Sequence, residues 1–279
     1  VGPPIFEWLW AKLLRKKLIY DFDDSIWIPN TSEGNSLAAQ FKCFWKVAKI
    51  CGWAWKVSVG NAFLAEFAGK FNTQVVFNPT CVDTLRKYNS TVVHKEGTVV
   101  VGWTGSHSTL PFLETLSPVL NKLATHVKFT FLVICDREPD FPLPNMKFIR
   151  WNKHTEIEDL LRIDIGIMPL KNDVWAKGKC GFKIIQYMAL GIPAVATKVG
   201  VNDTIIDEGE NGYTCTTEAE WMIALTDLIS DANKREQMGA IGRSKIKRVY
   251  SIQANSAVFL SLFDIVCTPS QFPVHESKV

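Results

Sequence analysis

A chain of 279 residues, 47% hydrophobic and 21% charged, has an ordinary globular composition and is long enough for two domains of usual size. Its formal net charge of +3 gives no overall field that would recruit nucleic acid. No uncharged apolar run approaches the roughly 18 to 20 residues needed to cross a bilayer, and the seven cysteines are scattered without the paired spacing of zinc or redox sites, as in a cytoplasmic protein with reduced thiols.

The chain opens on "VGPPIFEWLWAKLLRKKLIYDFDD", a helix followed at once by a strand, as though it began inside a domain; a preceding amino-terminal portion is therefore expected. From there short Val-, Ile- and Phe-rich runs alternate with helical-period segments, the pattern of a parallel sheet covered by helices on both faces. Strands are predicted at "KLIYDF", "KVSVG", "TQVVFN", "TVVVGW", "KFTFLVI", "MKFIRW", "IGIMP" and "IPAVAT". Helices are predicted over Leu37–Ile50, Ala62–Lys70, Thr109–Leu123, Thr155–Leu161, Phe182–Leu190 and Glu218–Ile229. Pro79, Asn89, Ser90 and Gly97 interrupt the pattern in "NPTCVDTLRKYNSTVVHKEG", so two units join near residues 80 to 96. The chain divides accordingly into a first α/β unit over 1–90, a second over 91–250, and a helix and tail over 251–279 that packs back on the first. In open parallel sheets ligands bind beyond the carboxyl ends of the strands, here the loops after "VVVGW", "FIRW", "GIMP" and "AVAT".

Six stretches carry candidate chemistry. In "DFDD", Asp21 and Asp23 share a strand face; they are either a divalent-metal pair or polar residues of the acceptor side. The segment "FKCFWKVAKICGWAWK" has one apolar and one lysine-bearing face, so it either packs on its own sheet or lies on a membrane surface. The runs "LLRKK" and "KREQMGAIGRSKIKR" are either solvated helix faces or contacts for an anionic surface. In "GWTGSHSTLPFL", Gly102 and Gly105 permit a tight turn, and Ser106, Ser108 and Thr109 offer hydroxyls and a helix start, a combination suited to phosphate; a capped helix is the plainer alternative. His107 either reaches that phosphate or is a loop histidine.

The last stretch is "WAKGKCGFKIIQYMALG", where Lys177, Lys179 and Lys183 surround the first turn of a helix. A helix amino end already carries roughly half a positive elementary charge and unsatisfied N–H groups, so three ammonium groups there are costly unless an anion joins them. The alternative is three solvated lysines. Gln186 lies one turn beyond Lys183, where its amide either bonds a ribose hydroxyl or is a buried polar group satisfied by the protein.

Taken in order, these blocks resemble the retaining nucleotide-sugar glycosyltransferases of glycosyltransferase family 4. The likeness is strongest from about Gly97 to Tyr250, through "VVVGWTGSHSTLPFL", "DIGIMPLKNDVWAKGKCGFKIIQYMALGIPAVATKVGVNDTIIDEGENGY" and "MGAIGRSKIKRVYS". The resemblance implies an α/β, GT-B-like fold of two Rossmann-like parallel-sheet domains, the amino-terminal one incomplete. It implies a donor bound by the second domain, an acceptor site on the first, and transfer to an acceptor hydroxyl with retention of configuration and no obligatory metal or other cofactor. Carried over, Lys177, Lys179 and Lys183 hold the diphosphate and Gly105 with Ser106 approaches it. Asp173 stands near the place of the family's first glutamate against the donor sugar, Gln186 at the second against the ribose, and Trp151 flanks the base. Lys183 and Asp173 are thereby the expected catalytic residues.

The sequence departs from the family pattern in three places. The second glutamate is Gln186, the first has no exact counterpart, and the basic residues usual after the first strand are absent from "GWTGSHSTLPFL". The expected partners are a nucleotide-sugar donor and a saccharide or lipid-linked acceptor, in cell-envelope polysaccharide synthesis, with the protein cytoplasmic or peripheral at the inner face of the membrane and no nucleic acid bound. A truncated, non-catalytic nucleotide-sugar-binding module and a GT-B-like nucleotide-sugar epimerase are the alternatives.

Overall fold

The computed structural model describes residues 2–28, 43–93 and 97–264. The chain enters through helix α1 (Ile5–Trp8), which continues as a wider turn over Leu9–Leu13, and then forms strand β1 (Ile19–Phe22). Helix α2 (Lys46–Trp53), strand β2 (Lys56–Val59), helix α3 (Ala62–Gly69) and strand β3 (Val75–Phe77) complete a parallel three-stranded sheet ordered β1-β2-β3. Its register is fixed by Ile19 opposite Lys56 and Val57 opposite Val75. Val47, Ile50 and Cys51 of α2 turn inward while Lys49 stays exposed, so the lysine-bearing segment packs on its own sheet. The part of that segment before Cys43 lies outside the described residues.

The second sheet holds β4 (Val100–Thr104), β5 (Thr130–Cys135), β6 (Met146–Arg150), β7 (Ile165–Met168), β8 (Ala194–Thr197) and β9 (Gly212–Cys215). All neighbours are parallel and the order is β6-β5-β4-β7-β8-β9. Between the strands run α4 (Leu110–Leu123), α5 (Glu156–Leu160), α6 (Phe182–Ala189), α7 (Asn202–Ile205) and α8 (Glu218–Ser230). α9 (Ala232–Val249) and α10 (Ile252–Ser261) follow. Strand β9 and the short helix α7 extend the predicted elements, while α10 is the helix predicted within 251–279 and α9 carries the basic run read as a helix face; "GYTC" is too short and glycine-led to read as a strand until it pairs with β8.

Both faces of this sheet are covered, as central parallel strands require. On one face Leu113, Leu116, Leu120 and Leu123 of α4 meet Val101, Phe131 and Ile165; on the other Ile184, Ile185, Tyr187 and Met188 of α6 meet Leu132, Ile163 and Ala194. The strand order reverses between β4 and β7, opening a crevice at their carboxyl ends, the position at which such sheets bind ligands. The end of α10 returns to the first sheet, where Lys56 Nζ lies 2.5 Å from the Ser261 carbonyl and 2.9 Å from the Asp264 carboxylate.

The six described cysteines are free, four of them buried. No helix among the described residues is long and apolar enough to cross a membrane.

Candidate functional site

Two loops meet at the crevice, one following β4 and one following β7. The first is pressed onto the ring of Trp103, which is 1% exposed: a Cβ at Gly105 would fall 2.4 Å from the ring and 2.7 Å from Thr109 Oγ1, so only glycine fits. Tyr187 of α6 fixes the same loop from below, its hydroxyl accepting the Thr104 N–H at 3.0 Å. Lys183, in the first turn of α6, brings its ammonium 5.7 Å from the centre of the Trp103 ring. Trp103 therefore joins Gly105 and Lys183, which the sequence separates by nearly eighty positions. Burial draws the Lys183 ammonium down to about 8, and the neighbouring charge of Lys179 adds to the effect.

The three lysines are not equivalent. Lys179 lies 2.9 Å from Asp24 Oδ2 and stacks its ammonium 4.1 Å from the Trp175 ring. Lys177 is exposed, on a short turn over Ala176–Gly178. Asp173 is exposed and organises that turn, its carboxylate accepting the Ala176 N–H at 2.8 Å. Gly181 caps α6 with φ of +68°, and a Cβ there would fall 2.2 Å from Ile205 Cδ1, so backbone conformation and space both demand glycine.

The first unit grips the basic loop directly. Asn61, fully buried, caps α3 by accepting the Leu64 N–H at 2.9 Å. Its amide nitrogen faces the carbonyls of Lys177, Gly178 and Lys179 at 3.3, 3.0 and 3.2 Å. A Cβ on Gly178 would lie 1.9 Å from Ser25 Oγ, and the Cys180 thiol donates to the Asp23 carbonyl at 3.1 Å. Asp24 is the carboxylate of "DFDD" that reaches the lysines; Asp21 and Asp23 are exposed. Burial pushes the Asp24 carboxyl above its ordinary range, although Lys179 pulls the other way.

In the loop after β4, Ser106 Oγ lies 2.8 Å from Ser108 Oγ. The His107 backbone N–H and ring Nδ1 both meet the Asp136 carboxylate at 2.6 Å, which holds that carboxyl down at about 2. At the far side, Gln186 is 4% exposed and donates from Nε2 to Tyr88 Oη at 2.7 Å, the protein-satisfied alternative for that nitrogen. Gln186 Nε2 also lies 3.4 Å from Glu156 Oε1, and Trp151 Nε1 lies 3.3 Å from the same oxygen. Lys87 Nζ is 2.5 Å from Glu156 Oε2.

Gly105, Lys179 and Lys183 thus converge on the crevice, Gln186 and Trp151 gather around Glu156, and Lys177 and Asp173 stand on the outer turn. Asn61, Asp24, Asp136 and Glu156 escape sequence reasoning. Asn61 alone left a signal, an Asn directly before a helix start; the other three acquire their roles from partners distant in the chain.

Residues 142–245 match the family model described as Glycosyl transferases group 1. Spore coat protein SA of Bacillus subtilis (strain 168) is 29% identical over 82 residues, covering 28% of this chain and 22% of that protein. The likeness thus spans about a fifth of the curated relative's length. Sucrose-phosphate synthase from Thermosynechococcus elongatus has a similar structure, with a TM-score of 0.69 at 13% identity over 94% of this chain and 72% of that one. HepE from Anabaena in complex with UDP-glucose gives 0.66 at 16% identity, over 91% and 74%. TarM from S. aureus, in a complex that contains UDP, gives 0.67 at 15% identity, over 90% and 51%. The fold is accordingly the two-sheet, parallel α/β arrangement of the GT-B glycosyltransferases, and the match to the group 1 family lies within its second unit.

Proposed function

We propose that the protein transfers a sugar from a nucleoside-diphosphate donor to an acceptor hydroxyl, with retention of configuration. The observation that carries this reading is Lys183: an ammonium at the amino end of α6, 5.7 Å from the centre of the Trp103 ring on which the Gly105 loop rests, and drawn down to about 8 by burial. A diphosphate in the crevice removes that penalty and meets the free N–H groups of the helix. Lys179, on the loop that leads into α6, supplies a second positive charge, and Lys177 stands exposed on the outer turn beside it. UDP is the nucleotide named with both HepE and TarM, so UDP-sugars are the first donors to test.

Departure of the nucleoside diphosphate leaves negative charge on its terminal oxygen, and preorganised cations and N–H groups aimed at that oxygen lower the barrier. Two ammonium groups in the crevice take the part a divalent cation would otherwise play. The acceptor attacks from the face the first unit borders, near Asp24 and Ser25, and approach of the two units excludes water that would waste the donor. A saccharide or lipid-linked acceptor fits this reading, with a peripheral position at a membrane surface for the latter.

Incubation with UDP-glucose, GDP-mannose and ADP-glucose tests it. A transferase releases nucleoside diphosphate chiefly when an acceptor saccharide is added. A binding module takes up donor and releases nothing, and an epimerase converts the donor sugar with no acceptor present.

A further inference from the structure

Glu156 belongs to none of the residues that the family resemblance assigns, yet it joins two of them. It opens α5 directly beyond the carboxyl end of β6, with a side chain only 12% exposed. Three segments of the chain converge on its carboxylate: Lys87 at 2.5 Å, Trp151 Nε1 at 3.3 Å and Gln186 Nε2 at 3.4 Å. Gln186 stands where the resemblance expects a carboxylate to meet the donor ribose, but an amide offers one acceptor oxygen and its nitrogen already serves Tyr88 and Glu156.

We infer that Glu156 recognises the donor's ribose, its carboxylate accepting hydrogen bonds from the ribose hydroxyls while the half-exposed Trp151 ring beside it takes the base. This rests on the transferase reading above and moves the ribose contact from Gln186 to a residue thirty positions earlier. A vicinal diol presents two O–H donors, which an ionised carboxylate accepts more strongly than an amide does. A carboxylate offers about four acceptor positions, and two of the three contacts Glu156 makes are long, so capacity remains for the ligand. Lys87 supplies the countercharge a little-exposed carboxylate needs. The indole N–H of Trp151, bonded to the same oxygen, holds the ring of a 41% exposed tryptophan in a defined place next to the ribose position.

Titration calorimetry on the 279-residue chain tests this with UDP, GDP and ADP, then with the 2′-deoxy and 2′,3′-dideoxy forms of the one that binds best. The wild type is expected to bind the ribonucleotide at least about tenfold more tightly than the dideoxy form. Glu156→Gln, nearly isosteric, is expected to bind the dideoxy form as the wild type does and to lose the preference. Equal binding of both nucleotides by the wild type overturns the inference whatever the variant does. So does a Glu156→Gln protein that keeps the full preference, the result expected if the carboxylate only braces α5. If the wild type binds none of the three diphosphates, the transferase reading falls and the ribose assignment falls with it.

Discussion

Lys179 Nζ and Asp24 Oδ2 lie 2.9 Å apart, linking the loop after β7 to the end of β1. The pair is half-sheltered, with side-chain exposures of 22% and 34%, and the second carboxylate oxygen of Asp24 is buried without a hydrogen-bond partner among the described residues. An anion entering the crevice therefore competes with Asp24 for Lys179. Asp24→Asn is expected to leave stability within about 1 kcal/mol of the wild type, because the lost Lys179 pair is offset by removing a carboxylate whose charged form burial disfavours. The same substitution is expected to tighten binding of the nucleoside diphosphate by about threefold to tenfold, since the competing charge is gone. Chemical unfolding and calorimetric titration of the one variant read the near-unchanged stability and the tighter binding together.

Lys183 predicts a pH dependence. Folding depresses its ammonium from 10.5 to about 8, so the charged form burdens the folded state below pH 8 and stability gains as pH rises from 8 towards 10.5. A diphosphate favours the charged form and raises the group again. Donor affinity is therefore highest below pH 8 and falls as pH rises from 7 through 9, with proton uptake on binding near pH 8 to 9. Lys183→Arg, which stays charged throughout, is expected to flatten the profile. Titrations in buffers of different ionisation enthalpy measure the proton uptake directly.

Asn61 holds the first unit to the basic loop through one side chain. Asn61→Ala removes the α3 cap and leaves the buried Gly178 carbonyl and the part-buried carbonyls of Lys177 and Lys179 without that donor, a loss of about 2–4 kcal/mol. Asn61→Asp keeps an oxygen for the cap and sets a carboxylate against three carbonyls. It is expected to retain the α3 helix while weakening nucleotide binding, a combination visible in urea unfolding followed by titration.

If the lysines carry the leaving-group charge, prolonged dialysis against EDTA leaves sugar transfer within about twofold of its initial rate. Restoration of lost activity by added Mg²⁺ or Mn²⁺ would instead assign the charge to a metal.

Eight of the nine described strands are legible, β9 being the exception, because β-branched and aromatic runs bounded by Gly and Pro leave little choice of structure. The basic run of α9 reads as a solvated helix face, but "ANKREQMGAIGRSKIKR" has no continuous apolar stripe that would fix its packing; it is held by the Asp231 cap and by Gly239, where a Cβ would fall 2.0 Å from the Gly191 carbonyl. That contact is tertiary and leaves no local pattern. The lysine loop was legible for an electrostatic reason, positive side chains placed against a positive helix end. The partners that sort those lysines were not: Asp24 lies 155 positions before Lys179, and Glu156 draws its meaning from residues 87, 151 and 186 together. Pairings at such separation depend on how two sheets meet, which periodicity and spacing do not encode.

The central claim is that the ammonium of Lys183 neutralises a bound diphosphate. Calorimetric titration at pH 7 of the wild type and of Lys183→Ala, using whichever of UDP, GDP and ADP binds, measures it most directly. The account predicts a wild-type affinity at least about tenfold higher than that of the variant, the worth of one charge-assisted hydrogen bond. Equal affinities in a folded variant would contradict it.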